Sequence, residues 1–207
     1  MSNPDKPHGA HAGYPDAPSP WVVRWSHLAA PGATVLDVAC GGGRHLQWFA
    51  QRGHAVTGVD RDTLAARARV PHAELLTADI EAGLWPLAKQ EADGLGIRQF
   101  GLVVVTNYLW RPLMPRILGS VAPGGVLIYE TFASGNETVG RPSRPDFLLQ
   151  PGELLRTCAD FHIVAYENGT LPSPDRFVQR IAAVRKAEVN GDEHPALAYP
   201  LSLKSAL

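Results

Sequence analysis

The stretch Thr34-Val-Leu-Asp-Val-Ala-Cys-Gly-Gly-Gly-Arg44, followed one helix length later by Ala55-Val-Thr-Gly-Val-Asp60, constrains this chain more than any other feature. An apolar run that breaks into glycines, a segment with apolar residues at helical spacing, and a second apolar run closed by an acid read as the opening β-α-β unit of a doubly wound sheet. The pattern predicts a bound cofactor at the glycine turn.

The details of the turn discriminate between cofactors. A dinucleotide fingerprint wants a third glycine where this chain has Leu46, which argues against a nicotinamide oxidoreductase. Asp37 lies inside the first strand, where a carboxylate among apolar neighbours demands a partner. The spacing Asp37-x-Ala39-x-Gly41-x-Gly43 resembles motif I of the class I S-adenosylmethionine (SAM)-dependent methyltransferases, an acid followed by three alternating glycines. Ala39 stands at the first glycine, and as the smallest side-chain replacement it is expected to preserve the loop. The resemblance implies SAM as cofactor and S-adenosylhomocysteine as product.

With 207 residues and 19 basic against 20 acidic side chains, one soluble domain with a sizeable core is expected. No Lys/Arg run offers a footprint for nucleic acid, and no leader or long apolar span points to a membrane. Cys40 and Cys158 are too few for a disulfide framework, so a cytoplasmic location is expected. Residues 1–20 carry five prolines without periodicity and read as a disordered tail. His8 and His11 lie there without Cys or acidic companions, so no metal site is expected. The domain is assigned to residues 21–186, and 187–207 to a C-terminal tail.

Within the domain, Ser19-Pro20 starts a helix expected to run over Trp21 to Ala30. The first strand, the glycine-loop helix and a second strand at Ala55–Val59 follow. A short helix begins near Asp62, the third strand covers Glu74–Thr77, and a polar connection leads to Phe100–Thr106. There the unbroken Leu102-Val-Val-Val105 implies a central strand buried on both faces. A helix around Leu113 to Val121, a strand Val126–Thr131, a long loop and a helix from Pro151-Gly-Glu come next. The runs Phe161–Tyr166 and Arg176–Arg185 are joined by a linker too short for a helical crossover, so the last strand should be antiparallel. This is an α/β, Rossmann-like doubly wound seven-stranded sheet, and the resemblance implies strand order 3-2-1-4-5-7-6.

Roles follow from what SAM offers. Asp60, seventeen positions after Gly43 with Arg61 beside it, is placed to accept from the ribose hydroxyls. The resemblance implies that Asp79 accepts from the adenine amine with Ile80 on the ring. Asp37 would bridge the loop amides and the methionine amino group, with backbone of Ala39, Cys40, Gly41 and Gly43 lining the cofactor. Cys40 itself reads as a packing residue. Arg44 and Arg24 compete for the cofactor carboxylate. At the carboxyl edge of the central strand, Asn107 and Tyr108 border the reactive methyl, and Glu130 stands on the neighbouring strand. Arg141, Arg144, Asp146 and Phe147 lie in a loop suited to cover a small polar or anionic acceptor.

The block from Asn107-Tyr-Leu through Pro123-Gly-Gly125 and Tyr129-Glu-Thr-Phe132 to Pro151-Gly-Glu-Leu154 is similar to bacterial small-molecule methyltransferases of the tellurite-resistance group. That resemblance implies methyl transfer to a small molecule. A soft nucleophile, a thiol or an oxyanion, would need no strong base. The alternatives are an O- or N-methyltransferase using Glu130, Asp146 or Tyr108 as base, and a SAM-binding regulatory protein without turnover.

Overall fold

The computed structural model describes residues 16–91, 94–187 and 198–201. Most of the expected tails, with His8 and His11, lies outside these residues.

Helix α1 (Pro20–Trp25) starts as its sequence dictates: Pro20 needs no amide partner, and the Ser19 hydroxyl accepts from Trp21 N at 3.1 Å. It ends five residues short of the expected Ala30, giving way to a 3-10 turn at Ser26–Leu28. The Ser26 hydroxyl there donates back to the Val23 carbonyl, the local competition that makes serine a weak helix interior residue. Strand β1 (Val35–Val38), helix α2 (Arg44–Ala50), strand β2 (Val56–Asp60), helix α3 (Leu64–Arg69) and strand β3 (Glu74–Thr77) follow the predicted order.

The connection to the central strand is not plain loop. It holds a small antiparallel hairpin, β4 (Ala88–Glu91) and β5 (Gly94–Ile97), which forms a separate two-stranded sheet. Lys89, Gln90 and Glu91 give β4 no apolar alternation, which hid the hairpin from a reading by period, although Asp93-Gly94 ahead of Leu95 and Ile97 is a hairpin-turn signal. Strand β6 (Phe100–Thr106), helix α4 (Met114–Gly119), strand β7 (Val121–Phe132), helix α5 (Glu153–Thr157), strand β8 (Phe161–Leu171) and strand β9 (Arg176–Arg185) complete the fold. Strand β8 runs five residues past the expected Tyr166, through Asn168-Gly169, because each of these residues finds a partner on β9.

The main sheet has the order β3-β2-β1-β6-β7-β9-β8. This is the predicted 3-2-1-4-5-7-6, renumbered by the extra hairpin. Strands β3, β2, β1, β6 and β7 are mutually parallel, whereas β9 is antiparallel to both β7 and β8. Leu102 to Val105 are completely buried and alternate between two cores. One core holds Trp21, Trp25, Leu46 and Phe49 from α1 and α2. The other holds Ile117 of α4, Leu154 of α5 and Cys158 just after it. Each buried apolar side chain contributes about 1.5–3 kcal/mol, enough to fix the register in which the polar strand ends must then sit.

Candidate functional site

Three left-handed residues shape the glycine loop: Ala39, Gly41 and Gly43 have φ of 56°, 51° and 75°. Glycine adopts this region freely, and alanine does so against contact between Cβ and carbonyl oxygen. The Ala39 departure thus keeps the loop's path at a conformational cost. Gly43 also faces α3, where an added Cβ would stand 3.0 Å from that of Ala66. The packing job of the absent third glycine has moved to β2. A Cβ on Gly58 would come within 2.7 Å of Leu46 Cδ1, so a bulky helix residue meets a strand without a side chain.

Asp60 ends β2 with Oδ2 accepting from Gly41 N at 2.8 Å and Oδ1 from Asp62 N at 3.0 Å. It holds the loop to the strand end, and Arg61 beside it is exposed. Asp62 then accepts from Leu64 N at 2.9 Å, opening α3. Asp79 Oδ1 accepts from Glu81 N at 3.1 Å and Ala82 N at 3.3 Å, a turn that brings Ile80 into the core. The Cys40 thiol is buried between β1 and β2. Burial, then Asp37 and Asp60, push its pKa up, leaving no thiolate for chemistry.

Asp37 is 1% exposed, and neither carboxylate oxygen has a hydrogen-bond partner among the described residues. The expected bridge to the loop amides is not made, because Gly41 N is turned to Asp60 and Cys40 N to the Val59 carbonyl at 3.1 Å. His45 Nδ1 lies 3.7 Å from Asp37 Oδ2, beyond hydrogen-bond reach. His45 Nε2 accepts from Ser19 N at 3.1 Å. Ser19, His45 and Asp37 have the composition of a hydrolytic triad. However, the Ser19 hydroxyl donates to Glu130 Oε1 at 3.0 Å, and only its backbone amide meets the imidazole, so no activated nucleophile results.

Sequence reasoning set Glu130 beside the acceptor as a candidate base. Here it is 3% exposed, accepting from Ser19 and held at 3.2 Å by Arg180 Nη1. Arg180 in turn pairs with Glu167 and lies 4.7 Å from the Trp21 ring centroid. Arg24, expected near the cofactor carboxylate, pairs instead with Glu167 on β8, four strands from β1. Both ends of α1 are thereby anchored to the antiparallel half of the sheet. Arg44, the rival, donates to the Ala17 carbonyl at 3.3 Å.

Beyond β6, Asn107 has φ 55°, and its amide donates to the Glu130 carbonyl at 2.9 Å. Tyr129 Oη donates to the Tyr108 carbonyl at 2.8 Å, fixing the turn. The Tyr108 hydroxyl has no hydrogen-bond partner among the described residues, and its pKa is raised by burial and then by Glu81, Asp79 and Asp60. Those carboxylates stand at and beyond the carboxyl ends of β2 and β3, the same end of the parallel strands that Tyr108 follows on β6. Arg111, in the turn just after Tyr108, is a staple. It forks onto Glu153 at 2.7 and 3.0 Å and donates to the carbonyls of Asp146 and Leu148. Asp146 pairs with Arg144 at 2.8 Å, and Phe147 is buried. The long loop is therefore ordered chain, strapped to the turn that carries Tyr108.

These groups fit SAM. A left-handed loop gives backbone access, two carboxylates end β2 and follow β3, and a buried carboxylate lacks a partner where an ammonium would supply one. Among the described residues no group of three or more His, Cys, Asp or Glu could hold a metal ion, and no helix is long and apolar enough to cross a membrane.

Residues 35–125 match a family model described as a methyltransferase domain. Over 98 residues the chain is 38% identical to the trans-aconitate 2-methyltransferase of Paracidovorax citrulli, covering 45% of this chain and 36% of that protein. The chain spans between 36% and 51% of the length of the curated relatives it matches. TehB from Haemophilus influenzae superposes with a TM-score of 0.61 at 19% identity, over 80% of this chain and 61% of that one. The 1,6-didemethyltoxoflavin N1-methyltransferase of Burkholderia thailandensis, solved with S-adenosylhomocysteine bound, gives 0.55 at 18% over 80% and 76%. At these identities the structural likeness is one of fold.

Proposed function

Because the chain carries a methyltransferase domain on the class I SAM-dependent methyltransferase fold, we propose that it transfers the methyl group of SAM to a small acceptor that is already nucleophilic at neutral pH, a thiolate or an oxyanion. The observation that carries this reading is the absence of an available base among the three candidates. Glu130 is buried against Arg180 and Ser19, Asp146 is paired with Arg144, and burial keeps the Tyr108 phenol protonated.

When bound, SAM supplies an electrophilic methyl on a sulfonium. In this reading Asp37 holds the ammonium, Asp60 accepts from the ribose hydroxyls and Asp79 from the adenine amine. Arg44, at the mouth of the loop, serves the carboxylate. Asn107 and Tyr108 border the methyl with neutral dipoles that orient without cancelling the positive charge. The 133–150 loop, fixed by Arg111, closes the acceptor side and excludes water. An acceptor held there would take the methyl through its own lone pair, the electron pair of the broken carbon–sulfur bond staying with the departing thioether. The products are methylated acceptor and S-adenosylhomocysteine.

Incubation with methyl-labelled SAM and a panel of thiols, carboxylates and heavier-element oxyanions tests this. Transfer is expected, with a rate that rises with pH through the acceptor's own pKa. Tight SAM binding without turnover on any acceptor or in cell extract would favour a regulatory SAM sensor. A rate that instead tracks one protein group across different acceptors would favour base-assisted O- or N-methylation.

A further inference from the structure

The segment before α1 is held by side chains from across the fold. Asp16 pairs with Arg69 of α3, the Ala17 carbonyl accepts from Arg44, and Ser19 meets His45 and Glu130. Arg44 and His45 are the first two residues of α2, directly after the glycine loop. His45 thus bonds to this strap and lies 3.7 Å from the carboxylate of Asp37, which has no hydrogen-bond partner among the described residues.

Its protonation follows from its contacts. Nε2 accepts from the Ser19 amide, so it carries no proton, and Nδ1 presents its N–H toward Asp37. At 3.7 Å that N–H does not complete a hydrogen bond, leaving a carboxylate that is 1% exposed short of a partner. Any cation arriving at Asp37 changes what the imidazole faces. The imidazole is in turn 2% exposed and cannot move without changing its bond to Ser19.

We propose that His45 is a positioning residue that couples occupation of the Asp37 site by the amino-acid end of the cofactor to the seating of residues 16–25. The coupling rests on the SAM reading and extends it. The N-terminal segment becomes part of the cofactor site, and because linkage is reciprocal, a seated segment tightens the same end of the ligand. Ligands that reach the adenosine subsites without an ammonium leave the coupling unused.

Two ligands separate the cases: S-adenosylhomocysteine, and 5′-methylthioadenosine, which keeps the adenosine and thioether and lacks the amino acid. On the full chain, S-adenosylhomocysteine at saturation should slow amide exchange at residues 21–25 by about tenfold, while methylthioadenosine leaves it unchanged. In His45→Gln, checked for an intact circular dichroism spectrum, calorimetry should find homocysteine-ligand affinity about tenfold weaker and methylthioadenosine affinity unaltered. Equal protection by the two ligands in the unmodified chain would overturn the coupling while leaving the SAM site standing. Failure of the unmodified chain to bind S-adenosylhomocysteine would bring down the cofactor reading and the coupling together.

Discussion

Asp37 and Glu130 are both buried carboxylates near the carboxyl ends of β1 and β7, strands separated only by β6, on the same face of one sheet, 1% and 3% exposed. Asp37 has no hydrogen-bond partner among the described residues, whereas Glu130 accepts from Ser19 and pairs with Arg180. A buried charge without a partner is a stability loss the fold tolerates only where something else uses it. A charge fully engaged by the protein has little left for a ligand. Around β1 and β2 a buried charge is left unmatched among the described residues, whereas where β7 meets the antiparallel β9 the protein matches one itself.

The strongest way to break this contrast is to neutralise each carboxylate. Asp37→Asn should weaken S-adenosylhomocysteine by about 2–3 kcal/mol in calorimetry, the loss of a charge-assisted contact, with melting temperature unchanged or raised. Glu130→Gln should do the reverse, lowering stability by about 1–3 kcal/mol in denaturant titration while affinity stays within about threefold. Exchanged outcomes would mean that the ligand sits over the antiparallel half.

Tyr108→Phe sharpens the comparison on the acceptor side. Its hydroxyl is buried with no hydrogen-bond partner among the described residues, so the fold should not miss it, and thermal stability should hold or rise. Turnover should fall about tenfold with SAM affinity little changed, because a dipole beside the methyl matters most in the transition state. Equal loss in both quantities would move the phenol's role to the adenosine end, toward Asp79, whose charge helps raise the phenol's pKa.

A smaller effect is expected from Ala39→Gly. Relief of a left-handed alanine should stabilise the domain by about 1 kcal/mol, offset in part by the greater freedom of glycine in the unfolded chain. A melting curve shifted down would show the loop to depend on the alanine methyl.

The mildest prediction concerns acid. Burial alone would raise Glu153, but the Arg111 hydrogen bond, the Gln150 amide and the nearby guanidinium charges outweigh it and hold the carboxyl below its ordinary value. A depressed folded pKa means that this stabilisation is full above the ordinary value of about 4.3 and fades as pH falls through the lower folded value. Exchange in the 146–148 loop should therefore quicken below about pH 4, before the β1–β2 region responds.

Much of the fold was legible because period and punctuation carry it. Asp37-x-Ala39-x-Gly41-x-Gly43, the double-sided burial of Leu102–Val105, and the short linker before Arg176 fixed the β-α-β opening, the central strand and the antiparallel finish. The β4–β5 hairpin was missed because polar β4 has no apolar alternation, although Asp93-Gly94 before Leu95 and Ile97 was a readable turn signal. Strand β8 was underestimated for the same reason, its last residues being held by register with β9 and not by apolar side chains.

For the site, sequence alone determined which residue types stand at the strand ends, because the chemistry of the glycine loop and the acids after it is local. Which of those acids has a charge to spare was decided only by tertiary structure. Arg180 and Ser19 lie 50 and 111 residues from Glu130, and Arg111 reaches its staple 35 to 42 residues away. A side chain's partner is set by where the packed sheet brings distant strands together. Spacing along the chain gives no measure of that distance, and so Asp37 and Glu130 look alike in the sequence and differ in the fold.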